Sequence, residues 1–161
     1  VKSAYTLISS SMGRLFDAVA SLLDICDLNS YEGEAAMLLE AATRAFEIEK
    51  ASRLVRLDDS GNIPAQQLIA KLKNRQISGQ HPGQLAGDFI FTLANLILEK
   101  ADREGISKIA CSGGVFQNAL LVGLLCELSA GSFELFFHRE LSPNDENIPF
   151  GQLMYHLNCN S

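Results

Sequence analysis

The chain has 161 residues, which is enough for one domain with a proper hydrophobic core. Its net charge of −6, from 19 acidic and 13 basic residues, argues against broad nucleic-acid binding, which needs a basic surface. No apolar run reaches the roughly 18 residues of a transmembrane helix, so we expect no membrane partner.

The first predicted helix follows a run of serines, Ser9–Ser11, one of which can serve as its N-cap. Arg14 and Asp17 lie three residues apart on the polar face and are expected to pair. The apolar face has the spacing of an amphipathic helix and consists of Met12, Leu15, Phe16, Val19, Leu22 and Leu23.

A second helix is predicted from Gly33 to Phe46, with acidic residues at its start, where the helix dipole favours them. Residues 53–57 (RLVRL) predict a short strand, with residues 46–49 as a candidate partner. The cluster at 58–62 is rich in Asp, Ser, Gly and Asn, a composition typical of a turn.

Two further helices are predicted before residue 105. Pro64 opens the first, which runs to about Asn74, because proline is well suited to the first helical position. The longest helix runs from Pro82 or Gly83 to about Glu104, and Gly105 ends it. Its predicted core stripe is Leu85, Phe89, Leu93, Leu96, Ile97 and Ala101.

The stretch from Ile106 to Asn118 predicts a strand at Lys108–Cys111, a Ser-Gly-Gly turn and a helix from Val115, with Asn118 one turn inside the helix. Such a turn can present backbone N–H groups and the positive end of the helix dipole to a phosphate. Tight packing explains a Gly-Gly turn equally well, and the stretch is neither a G-x-G-x-x-G fingerprint nor a P-loop.

The helix from Val115 is apolar on almost every side, so we expect it to be deeply buried. A second buried strand is predicted at 133–138, followed by a polar loop at 142–147 and a closing helix from Phe150 to Leu157. This alternation after a helical start favours half of a larger α/β domain over a small sheet edge with a large helical cap.

The cysteines and histidines carry no clear site. Cys26, Cys111, Cys126 and Cys159 form no C-x-x-C pair, so the expectation is buried free thiols in a reducing, cytoplasmic compartment. A catalytic thiol at Cys111 is a minor alternative, because no base is visible beside it. We interpret the three histidines, His81, His138 and His156, as structural.

Taken together, SSMGRLFDAVASLLDIC, SYEGEAAMLLE, CSGGVFQNALL and SPNDENIPFGQ resemble the C-terminal part of the hydrogenase maturation carbamoyltransferases, the HypF family. The resemblance covers nearly the whole chain. It implies an α/β fold: the C-terminal lobe of an actin/sugar-kinase/Hsp70-type ATPase fold, helix-rich with a small sheet. It also implies that residues 1–161 form one lobe of a carbamoyltransferase domain, a fragment of a larger multidomain protein.

The reaction implied by the resemblance uses carbamoyl phosphate and ATP to form carbamoyl-adenylate. The carbamoyl group then passes to the C-terminal cysteine of HypE and becomes a cyanide ligand of nickel–iron hydrogenase. Two alternatives remain: a catalytically inactive nucleotide-binding or docking module of the same fold, and a generic α/β small-ligand domain.

Residue by residue, the resemblance implies contacts of this chain with the nucleotide and with a divalent metal (iron, zinc or magnesium). A carboxylate suits ribose hydroxyls, and we expect all these residues around one cavity. The metal ligand is Asp145, and the nucleotide contacts are Asp17, Gly33, Glu34, Gly113, Gly114 and Asn118.

The chain departs from the family pattern in three places. The family loop usually reads Asn-Asp-Gly-Gly, whereas residues 144–147 read Asn-Asp-Glu-Asn. A Phe-His pair in the long helix is replaced by Phe89-Ile90, and the spaced histidines that supply the family's other metal ligands do not occur. A lobe separated from its neighbour exposes apolar surface, so we also expect self-association.

Overall fold

The structure, a computed structural model, describes residues 10–159 except for the side chain of residue 45. Ser9, one of the predicted capping serines, lies outside this range. Single 3-10 turns occur at Thr43–Ala45, Ile48–Lys50, Gly114–Gln117 and Asp145–Asn147. The helices and strands are α1 (Met12–Leu22), α2 (Glu34–Ala42), α3 (Ala65–Ile77), α4 (Pro82–Arg103), β1 (Lys108–Cys111), α5 (Ala119–Leu128), β2 (Glu134–Phe137) and α6 (Ile148–Cys159).

The two strands form a parallel sheet, with Lys108 opposite Glu134 and Cys111 opposite Phe137, and α5 connects them. A helix-rich α/β lobe with a small sheet is therefore confirmed. The prediction that β2 is buried was wrong, because its side chains alternate and Phe136 is 46% exposed.

The hydrophobic core lies around α4, whose buried stripe packs against α2, α3 and α5. Phe16 of α1 meets Phe89 of α4 edge-on, with ring centroids 5.0 Å apart. Of the serines predicted to cap α1, Ser11 is its N-cap. Gly105 follows the end of α4 with a φ of 65°, as expected of a C′ glycine.

Residues 53–57 have no regular secondary structure and belong to no sheet, so the predicted strand was wrong, and its proposed partner, residues 46–49, overlaps the 3-10 turn Ile48–Lys50. Side chains satisfy this backbone instead. The Leu54 N–H donates to Thr92 Oγ1 at 2.9 Å, and Lys71 Nζ donates to the Leu54 carbonyl at 2.6 Å. The segment is thus a buried strap held by α3 and α4.

Helix α5 differs from its prediction at both its start and its surface. It begins at Ala119, because the chain first makes the 3-10 turn Gly114–Gln117, and Asn118 is its N-cap rather than a residue inside it. Leu121, Leu124 and Leu125 are buried, whereas the opposite face, with Ala119, Gly123 and Cys126, is exposed. The expected burial on every side was therefore wrong.

One further expectation about burial, that of the cysteines, differs from the structure. All four cysteines are free, but only Cys111 is buried, while Cys126 and Cys159 are exposed. Helix α6 has no buried residue along its length. None of the helices in residues 10–159 combines the length and the apolar character that a membrane span requires.

Candidate functional site

Asp17 lies on the polar side of α1, with its side chain 24% exposed. Its Oδ1 accepts a hydrogen bond from Asn29 Nδ2 at 3.2 Å. Its Oδ2 lies 3.1 Å from the Arg14 guanidinium, as the sequence predicts, yet this buried oxygen accepts no hydrogen bond of good geometry. One carboxylate oxygen of Asp17 is therefore held by a hydrogen bond, and the other has an ion pair but accepts no hydrogen bond.

Asn29 joins Asp17 to the start of α2. Its Oδ1 accepts from the Ala35 N–H at 3.0 Å, which replaces a side-chain cap at the N-cap residue, Gly33. Gly33 has a φ of 84°, a left-handed conformation that favours glycine. Asp17 is thus linked to the first turn of α2, which Gly33 precedes, through one asparagine side chain.

Glu34 bends back onto the loop before α2. Its carboxylate accepts from both the backbone N–H and the hydroxyl of Ser30. These bonds, the backbone one first, hold the pKa of the Glu34 carboxyl below its usual value. The interactions of Glu34 in this structure are those of a residue that fixes a loop.

The Gly-Gly turn is tied to the loop that carries Asp145. Gly113 has a φ of 107° and donates its N–H to the Pro143 carbonyl at 2.7 Å. A Cβ at Gly114 would lie 3.9 Å from the Cβ of Asn144. The structure therefore brings together the predicted phosphate-binding turn and the predicted metal loop.

Asp145 is exposed and begins the 3-10 turn Asp145–Asn147, which Asn144 caps by accepting from the Glu146 N–H at 3.1 Å. No residue of this turn has a positive φ. The replacement of the family's two glycines is therefore compatible with a regular turn, because right-handed 3-10 geometry requires none.

A metal centre needs more donors than Asp145 supplies. No group of three or more His, Cys, Asp or Glu side chains suited to a metal ion occurs within residues 10–159. Divalent cations are held by several ligands, so these side chains do not by themselves make a metal site.

Asn118 is 6% exposed, and the two polar atoms of its side chain differ in their hydrogen bonding. Its Oδ1 accepts from the Leu121 N–H at 2.8 Å, while its buried Nδ2 has no hydrogen-bond partner. Across the described chain, the only buried side-chain nitrogen or oxygen atoms without a hydrogen bond are Asn118 Nδ2 and Asp17 Oδ2. Both belong to residues that the family resemblance assigns to the nucleotide.

Most backbone N–H groups in the first turn of α5 bond within the chain, so the anion site predicted at the Gly-Gly turn would have to use other donors, and it stays a prediction. The Ala119 N–H donates to Glu40 Oε1 at 2.8 Å, and Asn118 takes the N–H of Leu121. The N–H groups of Gly114 and Val115, at the start of the preceding 3-10 turn, have no partner within that turn.

The predicted residues thus fall into two connected groups. Asn29 links Asp17 to the start of α2, and the Gly113–Pro143 bond links the turn to the Asp145 loop. Cavities of about 940 Å³ and about 550 Å³ in the described chain are lined by other residues. One cavity shared by all the predicted residues stays a prediction.

Cys111 is poorly suited to nucleophilic chemistry in this setting. It is 1% exposed, and burial, together with charge at Cys126, raises the pKa of its thiol. A raised pKa keeps the sulfur protonated near neutral pH, whereas the thiolate is the reactive form.

Sequence reasoning missed three contributors to this region. Asn29 lies in the loop before α2 and Glu40 in the last turn of α2, so each offered only the general signal of a polar residue near a helix end. His138, interpreted as an ordinary structural residue, lies between Ser112 and Asn147 beside the Gly-Gly turn.

The chain matches the family described as "Carbamoyltransferase, Kae1-like Domain, second subdomain" over residues 1–152. It therefore belongs to that family of carbamoyltransferase domains, and its curated relatives there are HypF proteins. Carbamoyltransferase HypF of Synechocystis is 35% identical over 91% of this chain and 19% of that protein, and the HypF of Rhizobium leguminosarum is 31% identical over 93% and 20%.

Solved HypF structures agree with this assignment. The crystal structure of HypF from T. kodakarensis matches with a TM-score of 0.77 and 26% identity over 91% of this chain and 20% of that one. Full-length HypF in its phosphate- and nucleotide-bound form matches with a TM-score of 0.69 and 32% identity over 89% and 20%. The chain spans about a fifth of the length of these relatives.

Proposed function

We propose that residues 1–161 form the C-terminal lobe of a carbamoyltransferase domain within a larger cytoplasmic protein. That protein would use carbamoyl phosphate and ATP, through carbamoyl-adenylate, to carbamoylate the C-terminal cysteine of a HypE-like partner for cyanide-ligand synthesis. Family membership supports transferase chemistry, and a relative has been solved with phosphate and nucleotide bound.

The observation that carries the proposal is a pair of buried atoms: Asp17 Oδ2, which forms an ion pair with Arg14 at 3.1 Å but accepts no hydrogen bond, and Asn118 Nδ2, which has no hydrogen-bond partner. A buried polar atom without a partner costs about 1–3 kcal/mol, so such atoms are rare and call for an explanation. The first is an acceptor suited to ribose hydroxyls and the second a donor suited to ribose or phosphate oxygens. A bound nucleotide would satisfy both.

Glycines leave room for that ligand. A Cβ at Gly33 or Gly113 would meet no atom within 4 Å, so the space above both backbone positions is open. The N–H groups of Gly114 and Val115 are the donors that would meet phosphate oxygens, as successive backbone N–H groups do in anion-binding nests.

The contribution of this lobe would be positioning and electrostatics rather than covalent chemistry. Asp17 and Asn118 would orient the nucleoside, and the turn would orient its phosphate. A metal bound with Asp145 would supply charge stabilisation, and its other ligands would be phosphate oxygens, water or groups beyond residues 10–159, because no cluster of three or more His, Cys, Asp or Glu side chains suited to a metal ion occurs within them. No step of this proposal depends on it.

The test is an NMR titration of the isotope-labelled 161-residue chain with AMP, and with ATP plus magnesium. We expect weak binding, with shifts at Asp17, Gly113 and Asn118, and weaker binding in Asp17→Asn and Asn118→Asp. Asp102→Asn, an exposed position at the end of α4, is the matched control. Shifts confined to other parts of the chain would contradict the proposal, and submicromolar affinity in calorimetry would contradict the expected weakness.

A second candidate is a catalytically inactive docking module of the same fold. The observation in its favour is the loop sequence Asp145-Glu146-Asn147, which departs from the family's glycines. Asp145→Ala, made in a longer protein that contains this chain and transfers carbamoyl groups, separates the two. Unchanged transfer favours the docking module, and lost transfer favours the enzyme.

A further inference from the structure

We propose that His138 is a positioning residue that holds the loop at 142–147 against the Ser112–Gly114 turn. The role of this contact in ligand binding rests on the proposed function, whereas the contact itself does not. We call the three side chains Ser112, His138 and Asn147 the clasp.

The sheet register brings the first two members of the clasp together. Cys111 is opposite Phe137 in the parallel pairing, and Ser112 and His138 are the residues that directly follow these two strands. Parallel strands end at the same edge, which puts these two residues side by side. His138 Nε2 lies 3.0 Å from Ser112 Oγ.

The other ring nitrogen reaches the loop. His138 Nδ1 lies 3.1 Å from Asn147 Nδ2. With that amide donating to Nδ1, the imidazole carries its proton on Nε2 and donates to the serine. If the amide is turned over, Nδ1–H donates to the amide oxygen and the serine donates to Nε2. Either arrangement gives neutral His138 one donated and one accepted bond.

The clasp complements a second attachment of the same loop. The Gly113 N–H bonds to the Pro143 carbonyl at 2.7 Å, and Gln117 Nε2 bonds to Ser142 Oγ at 3.4 Å. These contacts fix the beginning of the loop, and His138 fixes its end at Asn147. Asp145 lies between the two attachments, so its place relative to the turn depends on both.

Asn147 is the member of the clasp that belongs to the loop, and its side chain makes the contact with the His138 ring. Glycine at position 147 would have no side chain for this contact. The backbone there does not need glycine, because residues 145–147 form a right-handed 3-10 turn. The attachment of the end of the loop therefore depends on the side chain at this position.

The first experiment measures the clasp without any ligand. Amide hydrogen exchange of Gly113 and backbone order of residues 144–147 are followed by NMR in the 161-residue chain. We expect His138→Ala and Asn147→Gly each to speed Gly113 exchange by roughly three- to tenfold and to lower loop order, as the loss of a hydrogen bond does. Glu140→Ala, an exposed neighbour in the same connection, is the control and leaves both unchanged.

Conservative variants separate the two halves of the clasp. His138→Gln can reach Ser112, and His138→Asn can reach Asn147, so only the asparagine variant should retain most of the loop order. Unchanged exchange and order in both His138→Ala and Asn147→Gly would overturn the clasp.

The second experiment measures the consequence for binding, with AMP plus magnesium as the probe in the same NMR titration. We expect His138→Ala to weaken binding several-fold and His138→Asn to restore part of it. Loosened loops with undiminished affinity would overturn the positioning role. If the unmodified chain binds no AMP, the proposed function fails, while the exchange experiment still decides whether the clasp exists.

Discussion

At the residue scale, Asn118 has a structural role in one side-chain atom and a proposed binding role in another. Its oxygen caps α5, and its nitrogen is buried without a partner. We expect Asn118→Ala to lower the free energy of unfolding by about 1 kcal/mol through loss of the cap. Asn118→Asp keeps an oxygen for the Leu121 N–H, so it should retain more stability than alanine while losing the donor that we assign to the nucleotide.

Urea denaturation and the AMP titration together check this division. Asn74→Ala, at an exposed position within α3, is the matched control and should change stability by less than about 0.5 kcal/mol. Equal stability losses in the alanine and aspartate variants, or unaltered AMP binding in the aspartate variant, would contradict the separation of roles.

Glu34 predicts a pH dependence with a definite sign. Its folded-state pKa is lowered by the Ser30 backbone N–H and hydroxyl, so the charged form is favoured in the folded state. A lowered carboxyl pKa contributes stability that is present above the unfolded pKa and lost as the pH falls through the folded one. We expect the Tm advantage of the wild type over Glu34→Gln to shrink from about pH 6 to about pH 3.

Ser30→Ala is the partner variant for that comparison, because it removes the hydroxyl donor and leaves the backbone donor. Its pH dependence should fall between those of the wild type and Glu34→Gln. A constant Tm difference across the range would show that this carboxylate contributes nothing to acid sensitivity.

At the scale of elements, α4 depends on glycine at a place where Phe46 approaches its backbone. A Cβ at Gly87 would lie 2.0 Å from Phe46 Cδ2, far inside contact distance. Glycine inside a helix normally costs about 0.5–1 kcal/mol relative to alanine. Here we expect the opposite sign: Gly87→Ala should destabilise the fold by about 1–3 kcal/mol through overpacking.

Gly123 in α5 provides the matched control. It is exposed, and a Cβ there would meet no atom within 4 Å. Gly123→Ala should therefore stabilise by about 0.5–1 kcal/mol in the same thermal or urea denaturation. Gly87→Ala should cost less stability when it is made in the Phe46→Ala variant than when it is made in the wild type. An equal cost in both would show that the aromatic ring is not the obstacle.

Helix positions follow from the sequence because apolar spacing and end signals are local. The periodicity from Met12 to Leu23, the prolines at 64 and 82 and Gly105 give α1, α3 and α4 nearly their observed bounds. The strap at 53–57 was misassigned, since an apolar run does not reveal whether its peptide groups bond to another strand or to Thr92 and Lys71. Gly87 gave no local signal, because the ring that requires it lies about forty residues earlier.

The candidate site was predictable to a similar degree. The motifs identify the Gly-Gly turn and the Asp145 loop, and the parallel sheet explains why both lie at one edge. The capping role of Asn118 carried a sequence signal, an asparagine immediately before an apolar run. The attachments through Asn29, Glu40 and His138 depend on tertiary placement, which spacing along the chain does not encode.

At the scale of the whole molecule, apolar surface is concentrated on elements that make few contacts. A two-stranded sheet is marginal alone, and its outer side chains, such as Phe136, face solvent. Along α6 the exposed large apolar side chains are Ile148, Phe150, Leu153, Met154, Tyr155 and Leu157. Exposed apolar surface of this kind is typical of surfaces used in association.

We therefore expect the 161-residue chain to self-associate through α6. Sedimentation velocity should show the average mass rising between roughly 10 and 300 µM, because mass action favours oligomers at higher concentration. Phe150→Lys with Leu153→Lys should shift the chain toward the monomer, since lysine charges are costly to bury at a contact. Ile77→Lys, an isolated apolar position that is 74% exposed at the end of α3, is the control and should leave association unchanged. A monomer throughout that range, or equal effects of the two variants, would mean that α6 does not drive assembly.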